Sequence, residues 1–251
     1  MSSAVLELRN LHKSFGALQA TRDLSFQVNA GEIHALIGPN GAGKTTLVNL
    51  ITGVHKLSSG SMSFMGKDIT NYKPYMSAKT GLARTFQVVQ PFPEMTVFEN
   101  VLAGALFGSA GGTYGEAAAL TAKELRFVGL SEFSNTPASA LTLPNRKKLE
   151  LAKSLAMAPK MLFLDEVNAG LNSGEIEGAL NLIRKISDRG ITILIIEHLM
   201  KVLLNVAERV LVIHHGEMLA EGSAKEIIED ERVIEAYLGS KFAKRFGRSL
   251  R

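Results

Sequence analysis

Apolar residues cluster in short runs at Val5–Leu8, Leu24–Val28, Glu32–Ile37 and Ser61–Phe64, each of strand length and bounded by polar or Gly-containing segments. A Gly-rich turn and a helical pattern follow the third run, over 43–53. From about 88 to 158 the period changes to that of helices, with Gly, Pro and Ser between them. Strand–helix alternation then returns: Met161–Leu164, a helix near 174–188, Ile191–Ile196, a helix near 199–207, Val210–Ile213 and Met218–Glu221. Strands that alternate with helices predict a mostly parallel sheet covered on both faces. The expected class is therefore α/β, with a β-rich start and a helical middle inserted around one core.

Composition narrows the function classes. The 251 residues suit one large α/β domain or two small ones. A net charge of +4, with acids and bases interspersed, gives no nucleic-acid footprint. With no Cys, disulfides, thiolate metal sites and Cys nucleophiles are excluded. The opening MSSAVLELRN lacks a long apolar core and does not read as a signal peptide. No apolar run approaches the ~20 residues of a membrane helix, so action at a membrane requires another chain to span it.

Three segments carry chemistry. Residues 38–46, GPNGAGKTT, match G-x-x-x-x-G-K-[ST] between an apolar strand and a helix. The span Gly38, Pro39, Asn40, Gly41, Ala42, Gly43, Lys44, Thr45 and Thr46 reads as a loop whose N–H groups cradle phosphate oxygens, with the helix N-terminus behind them. Lys44 is expected to reach the β- and γ-phosphates and Thr45 to offer its hydroxyl to Mg²⁺. MLFLDE at 161–166 reads as a buried strand that delivers two carboxylates at its C-terminal edge, where open α/β sheets bind ligands. Asp165 is expected to hold Mg²⁺ and Glu166 to polarise the attacking water. ITILIIEH at 191–198 ends a third apolar strand with His198, a candidate for hydrogen bonding to a γ-phosphate. The other five histidines read as structural. The helix LTLPNRKKLELAKSLA at 141–156 carries Arg146, Lys147, Lys148 and Lys153, a cluster that by itself fits a nucleic-acid face, a solvated face or a phosphate site.

These segments, with RTFQ at 84–87 and AGLN at 169–172, stand in the order and spacing of an ABC ATPase subunit, and the chain resembles that family over about residues 4–238. RTFQ followed by EMTVFENV, RKKLELA, DEVNAGLN and EHLMKV is similar to the ATPase subunits of branched-chain or hydrophobic amino-acid importers. The resemblance implies a P-loop NTPase fold of the ABC type, with a mostly parallel core sheet, an N-terminal antiparallel β subdomain and a helical subdomain inserted at about 88–158. It implies one domain over 1–238; the segment 239–251, with five basic residues and no acid, reads as a solvated tail. It implies a head-to-tail dimer enclosing two ATP molecules with Mg²⁺, in which Phe15 stacks on adenine and Gln87 links the metal site to the permease. Thr142 and Asn145, in the signature segment, would face the nucleotide of the second subunit. The helical middle would dock transmembrane permease subunits, a solute-binding protein would act indirectly, and the chain would sit peripherally on the cytoplasmic face of the cell membrane. No nucleic-acid partner is expected. The cluster on 141–156 is then assigned mostly to an outer face, with Leu149, Ala152, Leu155 and Ala156 inward.

Two departures from the family pattern bear on function. The signature reads Leu141-Thr142-Leu143-Pro144-Asn145, with neither Gly, and Asn172 stands where an Asp is usual. Pro144 has no N–H to donate. A heterodimer with a second ATPase subunit is therefore expected over a homodimer. The rival readings are an ATPase subunit for lipid or lipopolysaccharide export, a soluble ABC protein acting on nucleic acid, and a small-molecule phosphotransferase.

Overall fold

A computed structural model describes residues 4–86, 89–197 and 204–238. The chain divides into two compact units, one formed by residues 1–72 with 194–251 and the other by residues 73–193.

The first unit opens with a long hairpin. Strands β1 (Ala4–Phe15) and β2 (Leu18–Asn29) pair antiparallel, with Leu6 opposite Val28 and Leu8 opposite Phe26. Leu6, Leu8, Leu11, Leu24, Phe26 and Val28 are buried, and the intervening Arg9, Ser25 and Gln27 are exposed, as one wet face demands. The pairing shifts between Leu8 and Leu11. There Asn10 takes φ 49° and its amide donates to Asp23 Oδ1 at 2.6 Å, a bulge that lengthens both strands beyond the two short runs legible in the sequence. Strand β4 (Ser59–Phe64) pairs with the other edge of β1, and the two-residue β5 (Lys67–Asp68) pairs with β4, giving an antiparallel sheet.

Strand β3 (Ile33–Ile37) is buried at every position and runs parallel to β9 (Arg209–His214), Ala35 lying opposite Val210. β10 (Glu217–Gly222) folds back antiparallel on β9. The helix after β3, α1, spans Lys44–Ile51, and the last described residues form two short helices, α7 (Ala224–Glu229) and α8 (Glu231–Leu238). Ser223 and Glu226 form a reciprocal capping box on α7.

The second unit contains helix α2 (Pro74–Thr80) and the parallel pair β6 (Leu82–Arg84) and β7 (Met161–Asp165), Arg84 standing opposite Phe163. Between them run α3 (Val97–Phe107), α4 (Tyr114–Val128) and α5 (Leu143–Ala156); α6 (Ser173–Ser187) follows β7. Capping boxes Thr96/Glu99, Thr113/Glu116 and Asn172/Glu175 start three of these helices. The Asn172 side chain accepts from the N–H groups of Gly174 and Glu175, both at 3.0 Å, so the departure from Asp keeps a competent cap. Helices α3 and α5 approach backbone to backbone: a Cβ on Gly104 would lie 2.5 Å from the Lys153 carbonyl oxygen. Glu124 of α4 is fully buried, and Arg189 meets it with two hydrogen bonds of 2.7 and 2.6 Å while stacking over Phe127. Strand β8 (Thr192–Ile196) is buried throughout.

The helix expected near 199–207 falls largely outside the described residues. Elements α2, β5, β6, α7 and α8 had no forecast in the sequence, because each is only two to eight residues long and completes too little of a period.

Candidate functional site

The loop expected to hold phosphates lies in the first unit. β3 ends at Ile37, and residues 38–43 curl before α1 begins at Lys44. Gly43 sits at φ 106°, a left-handed conformation that glycine alone adopts without strain, and a Cβ there would lie 2.5 Å from the Ala20 carbonyl oxygen. A Cβ on Gly38 would lie 2.1 Å from the Ile213 carbonyl oxygen. The turn between β9 and β10 closes on the loop as well, Gly216 N–H donating to the Ala42 carbonyl at 3.0 Å. The Lys44 ammonium is folded back on its own loop, donating to the carbonyls of Gly38 at 2.7 Å and Pro39 at 3.1 Å. Thr45 is exposed and Thr46 half-buried in the first turn of α1. No acidic residue stands in that turn, so no carboxylate of α1's own first turn opposes an anion at the positive helix end.

Phe15 ends β1 at 42% exposure. The His55 ring meets it edge-on, with centroids 5.2 Å apart, and the Lys13 ammonium lies 4.7 Å from its centroid. An exposed, braced aromatic face of this kind suits stacking on a planar base. Tyr237 of α8 places its phenol against the backbone of Gly38; burial pushes that phenol up from its usual value and the Gly38 N–H pulls it back.

The second unit supplies the acids. β7 is buried along its whole length and carries Asp165 at its end, 4% exposed. The Asp165 N–H donates to Thr85 Oγ1 at 3.2 Å, and the Thr85 N–H donates to the Phe163 carbonyl at 2.9 Å, which stitches the segment after β6 to β7. The Arg84 guanidinium lies 3.3 Å from Asp165 Oδ2, with both side chains largely buried. Its own burial lowers the Arg84 pKa, and the Asp165 charge opposes that shift. Glu166 follows at φ 47°, a left-handed conformation uncommon outside Gly, and is only half-buried. Two of the expected site residues, Gln87 and His198, lie outside the described residues.

The signature segment opens α5. Thr142 is its N-cap, with no side-chain cap bond, and Thr142 and Leu143 are exposed. Asn145 is half-buried in the first turn. The cluster expected on an outer face divides differently. Lys148 is exposed, whereas Arg146, Lys147 and Lys153 are half-buried and donate to backbone carbonyls. Arg146 holds Leu141 and Ser139, Lys147 holds Val167, and Lys153 holds Gln90. A periodicity argument ranks a cation as polar and outward; it has no way to register carbonyls brought in by other loops. Arg84 was missed for the same reason, since its partner is 81 residues away.

Among the described residues no three His, Asp or Glu side chains gather into a metal-ligating group. The donors present fit Mg²⁺ of the kind carried on a nucleotide, which takes one or two carboxylates and otherwise phosphate and water oxygens. Asp165 is such a carboxylate, buried and already countering a cation.

The chain is similar to known proteins over most of its length. The family model "ABC transporter" matches residues 21–169, and "Branched-chain amino acid ATP-binding cassette transporter" matches residues 217–243. The high-affinity branched-chain amino acid transport ATP-binding protein BraF of Pseudomonas aeruginosa is 36% identical over 95% of this chain and 99% of its own length. The corresponding protein LivG of Escherichia coli is 36% identical over the same shares. The probable LivG of Methanocaldococcus jannaschii is 35% identical over 94% of this chain and 97% of its own. The crystal structure of a nucleotide-free ATP-binding cassette from an ABC transporter superposes with a TM-score of 0.85 at 34% identity, covering 94% of this chain and 99% of that one. An ABC transporter cassette in its ADP conformation gives 0.85 at 34% identity, over 95% and 100%. The fold is therefore the P-loop NTPase fold of ABC ATPases, as the motif order led us to expect, and the chain belongs to the ABC transporter family, among the ATP-binding proteins of branched-chain amino acid transport.

Proposed function

We propose that this chain binds and hydrolyses ATP to drive an importer of branched-chain or other hydrophobic amino acids. The observation that carries the reading is the curled loop 38–43 opening α1, with the Lys44 ammonium held on the Gly38 and Pro39 carbonyls, where phosphate oxygens compete for it. The relatives named above are branched-chain amino acid transport ATP-binding proteins, which supports the solute class.

Within this reading, Gly38, Pro39, Asn40, Gly41, Ala42, Gly43, Lys44, Thr45 and Thr46 hold the phosphates, and Phe15 carries the adenine. Thr45, Asp165 and Gln87 are the ligands for Mg²⁺, which when bound neutralises charge on the phosphates. Glu166 accepts a proton from the attacking water, and His198 hydrogen-bonds the γ-phosphate. Thr142 and Asn145 serve the nucleotide of a second ATPase subunit, a different chain with a fuller signature. ATP binding closes the pair and hydrolysis reopens it.

No helix of the described residues is long and apolar enough to cross a membrane. We assign the spanning to permease subunits, with this chain peripheral on the cytoplasmic face and a solute-binding protein acting through the permease. Residues 1–238 form the ATPase domain, with the permease-facing helical insertion at about 88–158, and residues 239–251 follow it as a basic tail.

Replacing Lys44 with Ala tests the reading. ATP affinity is lost while the melting temperature of the nucleotide-free protein stays near wild type. Unchanged affinity would remove the phosphate-loop assignment.

A further inference from the structure

The loop after β7 is held in an uncommon conformation. Glu166 has φ 47°, and its carbonyl accepts from the Ala169 N–H at 3.0 Å; the Leu171 N–H donates to the Asn168 carbonyl at 3.2 Å. These bonds are local to the turn. One link from outside comes from α5: the Lys147 ammonium donates to the Val167 carbonyl at 2.9 Å and reaches the Glu166 carbonyl at 3.5 Å. A cation on a carbonyl makes a stronger hydrogen bond than a neutral donor.

Side chains also meet the same segment: a Cβ on Gly170 would lie 3.2 Å from Leu143 Cδ2 of α5. A cavity of about 320 Å³ lies beside it, lined by Pro144, Lys147, Val167, Leu171, Glu175 and Leu182 among others. The start of α5, the loop and α6 border this open pocket, so the packing between them is incomplete there and the lysine bond adds to it. Arg146 and Lys153 anchor other segments, at Ser139, Leu141 and Gln90. Lys147 is the cation of this helix whose bonds end on the loop bearing Glu166.

We propose that Lys147 is a positioning residue for hydrolysis: it ties the first turns of the signature helix to the backbone of Glu166 and Val167, so that the placement of the helix sets the aim of the Glu166 carboxylate in the same chain. The proposal rests on Glu166 as the group that polarises water. A general base works only within hydrogen-bond reach of its proton, and a displacement of ~1 Å costs on the order of 100-fold in rate. When the signature helix moves on its partner's nucleotide, Lys147 carries that movement to the carboxylate of its own chain. The two ATP sites of a dimer are coupled through this side chain.

The experiment compares Lys147→Met, which keeps the stem and removes the donors, with Lys147→Arg and Glu166→Gln in the assembled transporter. Single-turnover hydrolysis and ATP affinity are measured, together with hydrogen exchange of the Ala169 and Leu171 amides in the purified subunit. The expected result for Lys147→Met is a rate lower by roughly tenfold, a partial loss of aim. ATP affinity is unchanged, the two amides exchange faster, and Lys147→Arg restores most of the rate. A Lys147→Met protein that turns over and exchanges like wild type, beside an inactive Glu166→Gln, overturns the role of Lys147 alone. An active Glu166→Gln beside a slow Lys147→Met with faster loop exchange leaves Lys147 as the tether and overturns the reading of Glu166. Loss of protection throughout the unit, with ATP affinity lost, shows a merely structural lysine and overturns the proposal.

Discussion

The guanidinium of Arg84 lies 3.3 Å from the carboxylate of Asp165, the candidate metal ligand, and both groups are largely withdrawn from water. A buried carboxylate without a counter-charge is costly, so Arg84 supports Asp165 in the nucleotide-free protein. Arg84→Met is expected to lower the stability of that state by about 3 kcal/mol, the lower end for breaking a buried pair. Mg²⁺ with ATP then offers Asp165 a replacement cation, so the stabilisation by Mg²⁺-ATP should be larger in the variant than in wild type. Urea denaturation with and without Mg²⁺-ATP measures both quantities, and equal stability of the two apo proteins would refute the first.

Glu166→Gln keeps the shape of the side chain and removes its ability to take a proton. Turnover should fall by roughly 100-fold or more while ATP binding persists, the upper range for one positioned acid–base group. A long-lived closed dimer with trapped ATP is the accompanying observation in the assembled transporter. Near-normal hydrolysis would exclude Glu166 as the water-polarising group.

Gly104 is a site where one methyl group decides whether two helices fit. Its added Cβ would sit 2.5 Å from the Lys153 carbonyl oxygen, which belongs to the backbone of α5 and cannot swing away. Gly104→Ala should destabilise the protein by about 2 kcal/mol, as overpacking does, despite alanine's better helix propensity. Thermal melting reads the result, and a stabilised variant would show that α3 and α5 separate freely.

His34 introduces a pH dependence. It is fully buried in β3, with Nε2 2.8 Å from Glu32 Oε2. Burial holds its pKa below the ordinary 6.5; Arg209 lowers it further, and Glu32 and Glu221 pull the other way. Below 6.5 the unfolded chain therefore binds more protons than the folded one, and stability falls as pH falls through that window. The contribution is fully present above 6.5. Denaturation between pH 7.5 and 5, a range of roughly one unit or more either side of that value, should show a shallower slope in His34→Gln than in wild type. Some slope remains, because burial and His215 lower His214 in the same direction. Equal slopes in the two proteins would remove His34 from the account.

Pro144 lies in the first turn of α5, where it withholds one N–H from any phosphate facing that helix. The helix end remains, and the Thr142 hydroxyl makes no cap bond, so part of the anion-binding character persists. If the missing donor limits the site that this chain caps, Pro144→Gly should raise single-site hydrolysis in the assembled transporter by roughly 10-fold. A change below about twofold, small against the ~100-fold value of such a donor, would remove this argument for unequal sites and for a heterodimer.

The curl of residues 38–43 ahead of α1, the buried strands β3, β7 and β8 and the burial of Leu149, Ala152, Leu155 and Ala156 were legible in the sequence by itself. Each depends on residues close along the chain: glycines that permit a curl, an unbroken apolar run, a 3.6-residue period. The tertiary structure alone decided which charges meet. Arg84 finds Asp165 across 81 residues, Arg189 finds Glu124 across 65, and Lys147 finds Val167 across 20. A cation looks solvated in any one-dimensional pattern, whether it stands on a strand, on a helix or after one. Only the path of the chain brings a carboxylate or a row of carbonyls within 3 to 4 Å of it, and at that range in a poorly hydrated setting the bond it makes is strong.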